Sequence, residues 1–286
     1  MKNYKIFLAA ILAACLAISC KKTVEPSANS TVALSSEQTL IDNKAETLPP
    51  IQTPVSVNVN SNIGGFLEGL PAGYLTHPHK KYPLIIFIHG IGELGNGTTD
   101  LYKVAANSIP RLIKYGTFPA NFVVDKHNYS FIVVSPQFKA WPSPADVNTM
   151  LNYAIAHYHI DTTKMYLAGL SMGGGVVEET GASTYGNRFA ALVPMAGASY
   201  PTTQKAQVIV NNKLAMWAFH NNDDGTVPPS YSINYVSYIN ALSPLYPAKL
   251  TLWPTGGHDC WSKASNPDYR ENGKDIYEFM LSYSKP

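Results

Sequence analysis

Three residue types in this 286-residue chain have chemistry to offer together. They are a serine between glycines, an aspartate after a later apolar run, and a histidine on a glycine-rich loop. Gly169-Leu-Ser-Met-Gly173 closes the apolar run 165–170 and precedes Gly174-Gly175-Val-Val-Glu-Glu. A buried strand, a tight turn and a helix are therefore expected in succession. Such a turn has no room for flanking side chains and pushes Ser171 out at the carboxyl end of a sheet. A serine hydroxyl is a weak nucleophile unless a base takes its proton. The reading thus needs a histidine, an acid to orient it, and N–H groups to hold a developing oxyanion. The amide after the serine, on Met172, is the first such donor. Without those partners the pentapeptide is an ordinary glycine-rich turn.

The partners have candidates. Leu214-Ala-Met-Trp-Ala-Phe219 reads as a later buried strand and runs into His220-Asn-Asn-Asp-Asp-Gly-Thr-Val-Pro228. Asp223 and Asp224 compete for the role of acid, and the same string suits an Asx turn on a surface loop. It faintly resembles a calcium loop but lacks the alternating ligands and the distal Glu, so no metal is expected. Leu250-Thr-Leu-Trp253 reads as the last strand, and His258 on the following Pro254-Thr-Gly-Gly loop is the expected base. Other histidines have ordinary places: His77 and His79 in a polar turn, His127 in a loop, His157 and His159 at the end of an amphipathic helix, where cations suit the dipole. Upstream, residues 84–88 form a continuous apolar run ending in His89-Gly90-Ile91-Gly92. That is the pattern of a central parallel strand covered on both faces.

Strands are expected at 55–60, 65–70, 84–88, 130–135, 165–170, 189–194, 213–219 and 250–253. Helices are expected near 99–115, 144–158, 172–183, 230–242 and 270–283. Strands alternating with helices give a mostly parallel sheet with helices on both faces, after an antiparallel start. Only about eighteen residues separate Pro194 from Lys213, and Gly197-Ala-Ser-Tyr-Pro-Thr-Thr203 reads as a short loop and turn, so no lid domain is expected there.

Lys2 and Lys5 precede an apolar stretch, 6–18, that is shorter than the roughly 20 residues a bilayer span needs. Residues 1–19 therefore read as an export signal. Leu16-Ala-Ile-Ser-Cys20 resembles a lipobox with Ala17 in place of the usual Leu, making Cys20 a lipidation candidate. Plain secretion is the alternative. Residues 20–53, rich in Ser, Thr, Asn, Pro and Glu, read as a disordered tether. Residues 54–286 fit one domain. Hydrophobic residues at 45% suffice for a large core, and charged residues stand at 14%. A net charge of +2 with no basic stripe argues against nucleic acid. Cys15 leaves with the signal and Cys20 would carry lipid, so Cys260 is expected to be a free thiol.

Five motifs carry a family resemblance over most of residues 64–262. They are Gly65-Phe-Leu-Glu-Gly-Leu-Pro-Ala-Gly-Tyr74, His89-Gly-Ile-Gly-Glu93, Ser135-Pro-Gln137, Gly169-Leu-Ser-Met-Gly-Gly174 and Gly257-His-Asp-Cys-Trp261. The chain resembles α/β-hydrolases of the phospholipase/carboxylesterase or feruloyl-esterase-like kind, related to polyhydroxybutyrate depolymerases and dienelactone hydrolases. The resemblance implies an α/β-hydrolase fold and a triad in the order Ser171, Asp224, His258. It favours Asp224 over Asp223 because Asp224 stands three residues before Val227-Pro228. It makes Ile91 N–H the second oxyanion donor beside Met172. It implies a carboxylesterase acting without metal or organic cofactor on a small-molecule or polymer-attached ester, with acetyl or feruloyl esters of polysaccharide among the candidates. Gln137, Trp141 and Trp261 are then expected at the substrate cleft. Membrane contact would come only through lipid on Cys20. Leu94, where many relatives have Arg, and Asn221, where many have Gly, depart from the pattern. The alternatives are a serine peptidase of the prolyl-oligopeptidase-like group and a non-catalytic binding protein.

Overall fold

The apolar runs pair into one eight-stranded sheet in a computed structural model that describes residues 43–286. The expected export signal 1–19, the lipidation candidate Cys20 and the part of the expected tether up to residue 42 lie outside the described residues. The strands are β1 (Ile51–Val55), β2 (Ile63–Leu70), β3 (Tyr82–Ile88), β6 (Ile132–Phe138), β7 (Ile160–Leu170), β8 (Ala191–Met195), β9 (Ala215–Asn221) and β10 (Lys249–Trp253). Their order is β1-β2-β6-β3-β7-β8-β9-β10. β1 and β2 are antiparallel to their neighbours, and every pair from β6 to β10 is parallel. A small antiparallel ribbon, β4 (Phe122–Val124) with β5 (His127–Tyr129), was not foreseen.

Successive strand residues point to opposite faces, and each face has its own core. Leu84, Ile86, Ile88, Met216 and Ala218 pack on one side, against α2 (Pro144–His157), α3 (Met172–Gly181), α4 (Thr203–Asn211) and α5 (Ser230–Ala241). Ile85, Phe87, Trp217 and Phe219 pack on the other, against α1 (Ser108–Lys114) and α7 (Ile276–Leu281). A four-residue helix, α6 (Trp261–Ala264), follows the last strand. Covering on both faces is why β3, β6, β8 and β9 are buried along their whole length.

Four expectations need correction. The first strand lies at Ile51–Val55, not 55–60, so the sheet begins before residue 54. Ordered contacts reach back further, because Gly73 N–H donates to Glu46 Oε2 at 2.9 Å. β1 is an edge strand and mostly exposed, so it carries no apolar alternation to read. The helix expected near 99–115 is broken into a 3-10 turn, Leu101–Ala106, and α1. Asn107 is extended and Ser108 has φ +51°, which stops one helix before the next starts. The segment after β8 holds a helix, α4, that buries Ala206 and Ile209 and is capped when Thr202 accepts from Lys205 N–H. The last helix spans only Ile276–Leu281.

Cys260 is a free thiol with Sγ 3.4 Å from Phe219 O, and burial pushes its pKa far above the ordinary thiol value. A thiolate is the reactive form. The native protein should therefore resist Ellman-type reagents and become reactive only on unfolding. Stoichiometric labelling at the denatured rate in native buffer would contradict this packing.

Candidate active site

Ser171 sits on the turn between β7 and α3 at φ +53° and ψ −117°, a conformation L-residues rarely adopt. Such strain costs on the order of 1–3 kcal/mol and persists only where the surroundings hold it. Here Ser171 N–H donates to Met195 O at 2.8 Å, and Ser171 O accepts from Ala198 N–H at 3.1 Å. The flanking glycines are required by close approach rather than by their dihedral angles. A Cβ on Gly169 would lie 2.6 Å from Gly173 O, and one on Gly173 would lie 2.1 Å from Ile88 O.

The structure brings His258 and Asp224 to this serine. His258 Nε2 lies 2.8 Å from Ser171 Oγ, and its Nδ1 lies 2.7 Å from Asp224 Oδ2. Asp224 Oδ1 accepts from Thr226 N–H at 2.8 Å and Val227 N–H at 3.0 Å. Burial alone would raise the Asp224 pKa. The hydrogen bonds from His258, Val227 and Thr226 outweigh it and hold the carboxyl below the usual carboxylate range. An ionised carboxylate only accepts, so His258 Nδ1 carries a proton and Nε2 is free to accept one from the serine.

Asp223 does different work. Its Oδ1 accepts from Gly257 N–H at 2.8 Å, while Asn221 Nδ2 donates to Gly257 O at 2.9 Å. The two side chains clamp the turn that presents His258. Gly256 and Gly257 have φ +148° and +61°, so that turn needs glycine. Asn221, a departure from the family pattern, thus has a structural task.

Met172 opens α3 and Ile91 opens a 3-10 turn, Ile91–Glu93. The first amides of a helix have no acceptor within it, so both can point at an anion. A Cβ on Gly90 would lie 3.7 Å from Ser171 Cβ, which places this loop beside the serine. His89 fixes the loop. Phe138 N–H donates to its Nε2 at 3.1 Å, so Nδ1 carries the proton and donates to Gly90 O at 2.7 Å. Gly90 C=O and Ile91 N–H share one planar trans peptide and point opposite ways. Anchoring the carbonyl therefore aims the amide. Burial pushes the His89 pKa down to about 4, so the ring stays neutral.

The cleft residues divide. Trp261 meets His258 edge-on, with ring centroids 5.1 Å apart, and backs onto the second core. Trp141 is exposed on the loop between β6 and α2, at the same edge of the sheet. Gln137 is not a cleft residue. It is fully buried, its Nε2 donates to Glu93 O at 2.9 Å and Asp100 O at 2.8 Å, and its Oε1 accepts from Gly97 N–H at 2.8 Å. Its polar atoms are taken by the 93–100 backbone, so none remains for a substrate. It ties the segment that follows the His89–Gly92 loop to β6.

Sequence reasoning passed over His220. This ring is fully buried, with Nε2 3.1 Å from Asp224 Oδ2 and Nδ1 2.8 Å from Ser232 Oγ. Its one signal was a polar residue ending an apolar strand, four residues before the acid.

Gln137→Leu should strand buried backbone groups, each worth about 1–3 kcal/mol when unpaired. Denaturant unfolding should show a loss of at least that size. Native stability with a raised KM would return Gln137 to the substrate cleft.

No family model matches the chain, and no curated protein matches it. Solved structures do. A thermostable esterase superposes with TM-score 0.56 and 22% identity over 86% of this chain and 64% of its own. The chain thus spans just under two thirds of that protein's length. A structure described as a dienelactone hydrolase, from Klebsiella pneumoniae subsp. pneumoniae MGH 78578, gives TM-score 0.52 and 14% identity over 82% of this chain and 98% of its own. A ferulic acid esterase gives TM-score 0.50 and 18% identity over 74% and 93%. At these identities the likeness is one of architecture: the chain has the α/β-hydrolase fold.

Proposed function

We propose that the chain is a serine carboxylesterase that works through an acyl-enzyme on Ser171. One observation carries this reading. Ser171 Oγ, His258 and Asp224 form an unbroken bonded line, at 2.8 and 2.7 Å, on a strained turn beside two helix-opening amides. His258 Nε2 takes the Ser171 proton as Oγ attacks the ester carbonyl carbon. The carbonyl oxygen becomes an oxyanion held by Met172 and Ile91 N–H; one such donor is typically worth about 100- to 1000-fold in rate. His258 then returns the proton to the departing alkoxide, and the acyl group stays on Ser171. Water, deprotonated by the same nitrogen, attacks the acyl-enzyme and releases the acid. The scheme needs no metal or organic cofactor.

Polymer-attached esters, acetyl or feruloyl esters of polysaccharide among them, suit the surroundings. The β8–β9 connection holds only the nine-residue α4, so no cap is inserted there. The His258 side chain is 23% exposed, which leaves the reacting edge reachable from solvent. Lipid on Cys20 would supply the membrane contact, and no nucleic-acid partner is implied.

Ser171→Ala and His258→Ala should each lower ester hydrolysis by more than about 1000-fold and leave the melting curve near wild type. Asp224→Asn should cost on the order of 10³- to 10⁴-fold in kcat, because an amide favours the wrong imidazole tautomer. Asp223→Asn should cost little, since an amide oxygen can still accept from Gly257 N–H. Equal effects at the two aspartates would reverse their roles. A fluorophosphonate probe should label Ser171, and acetyl, butyryl, feruloyl and long-chain esters should be ranked against a peptide anilide. Faster anilide turnover would favour a peptidase, and no labelling would favour a binding protein.

A further inference from the structure

We propose that His220 is a positioning residue of this site: its Nε2–H, together with the Thr226 and Val227 amides, fixes the Asp224 carboxylate for His258 and withdraws part of the negative charge that His258 meets. The inference rests on reading Ser171, His258 and Asp224 as a hydrolytic triad.

The protonation state follows from the partners. His220 Nε2 lies 3.1 Å from Val227 O and 3.1 Å from Asp224 Oδ2. A carbonyl and an ionised carboxylate can only accept, so Nε2 must hold a proton. Nδ1 then accepts from the Ser232 hydroxyl at 2.8 Å. One neutral tautomer satisfies every contact. Burial lowers the ring's pKa and keeps it uncharged despite the neighbouring carboxylate.

The consequence is geometric first. Asp224 Oδ2 receives His258 Nδ1 and His220 Nε2, while Oδ1 receives the Thr226 and Val227 amides. Rotation of the carboxylate would break bonds on both oxygens at once. Removing His220 leaves Oδ2 with His258 alone, so the plane that aims the imidazole loosens. The second consequence is electrostatic. A neutral donor supports the ionised acid without adding a positive charge beside the imidazolium that forms on His258.

The surrounding charges leave room for this effect to be read. Asp223, on the β9–α5 loop, faces Gly257 N–H. Asp259, beside His258, faces Ser262 N–H and Oγ. The Cys260 thiol is buried and its pKa is raised. Glu178, on α3 behind Gly197, is fully buried with its pKa pushed well up. Ser171 and Ser232 are the neutral hydroxyls at the two ends of the line.

The test compares kcat and KM against pH for wild type, His220→Phe and His220→Gln, with thermal melts for each. Phe keeps a ring and loses the N–H. It should lower kcat by about 10- to 100-fold, the scale of a small misplacement, with KM changed less than about twofold. The acid limb of its kcat/KM profile should move to higher pH, because a carboxylate relieved of a donor holds the imidazolium more firmly. Gln, whose amide N–H can stand where Nε2–H stood, should recover most of the rate and the wild-type limb. A folded His220→Phe with wild-type kcat would overturn the proposal. So would a loss with an unmoved limb that Gln does not rescue. If neither variant folds, ¹⁵N-histidine NMR of the wild-type protein decides. His220 should be neutral with its proton on Nε2, and an Nδ1–H tautomer or a charged ring at neutral pH would overturn the assignment. That measurement needs no substrate. Absence of ester turnover and of Ser171 labelling in the wild-type chain would instead be the failure of the esterase reading.

Discussion

Backbone touching backbone at Gly173 is the constraint on which this site depends. A Cβ there would meet Ile88 O at 2.1 Å and His89 O at 2.6 Å, and one on Gly169 would meet Gly173 O at 2.6 Å. The end of β3, the end of β7 and the start of α3 therefore meet with no side chain between them. This single contact sets Ser171 beside the His89–Gly92 loop. Gly174 and Gly175 extend it, since their Cβ atoms would meet Met195 O and Ala198 C at 2.7 Å. Glycine costs up to about 1 kcal/mol per position in a helix. A helix with three of them in its first four residues is held by the sheet rather than by its own propensity.

Around that contact the polar groups are arranged so that one of three imidazoles meets the serine hydroxyl. Four donors meet Asp224, and those from His258, Val227 and Thr226 outweigh its burial and hold its carboxyl below the usual carboxylate range. His89 and His220 are both buried, both neutral, and both committed to one tautomer by a backbone or hydroxyl partner. His258 alone of the three faces the serine, and Trp261 and the clamped Gly257 turn hold it there. Buried polar groups of this kind are costly unless every partner is present. Here the partners come from β6, from the loop after β3, from β9 and the β9–α5 loop, from α5 and from the loop after β10.

The elements that residue order revealed are the ones with strong periodicity. β3, β8, the 165–170 half of β7 and most of β9 are apolar runs because helices cover both faces, and α2, expected at 144–158, is observed at Pro144–His157. The elements it concealed lack such a signal. β1 lies on the edge and exposes most of its side chains. α4 is short and buries only Ala206 and Ile209, so it looked like a loop. The break at Asn107 and Ser108 is a matter of backbone angles that neither residue type demands.

Local order was enough to single out Ser171, His258 and the pair Asp223 and Asp224, because each lies on the loop or turn that follows a strand and each belongs to a residue type with the needed chemistry. Assigning the two aspartates, one to the imidazole and one to Gly257 N–H, required the fold, since neighbours in sequence point to different partners across some thirty residues of chain. The same holds for Gln137, which looks like a cleft residue until its three backbone partners are seen, and for His220, which looks like a strand end until the acid folds back over it. Residue type sets what a side chain can donate or accept. Which atom it meets is decided only when separate strands bring their ends to one edge of the sheet.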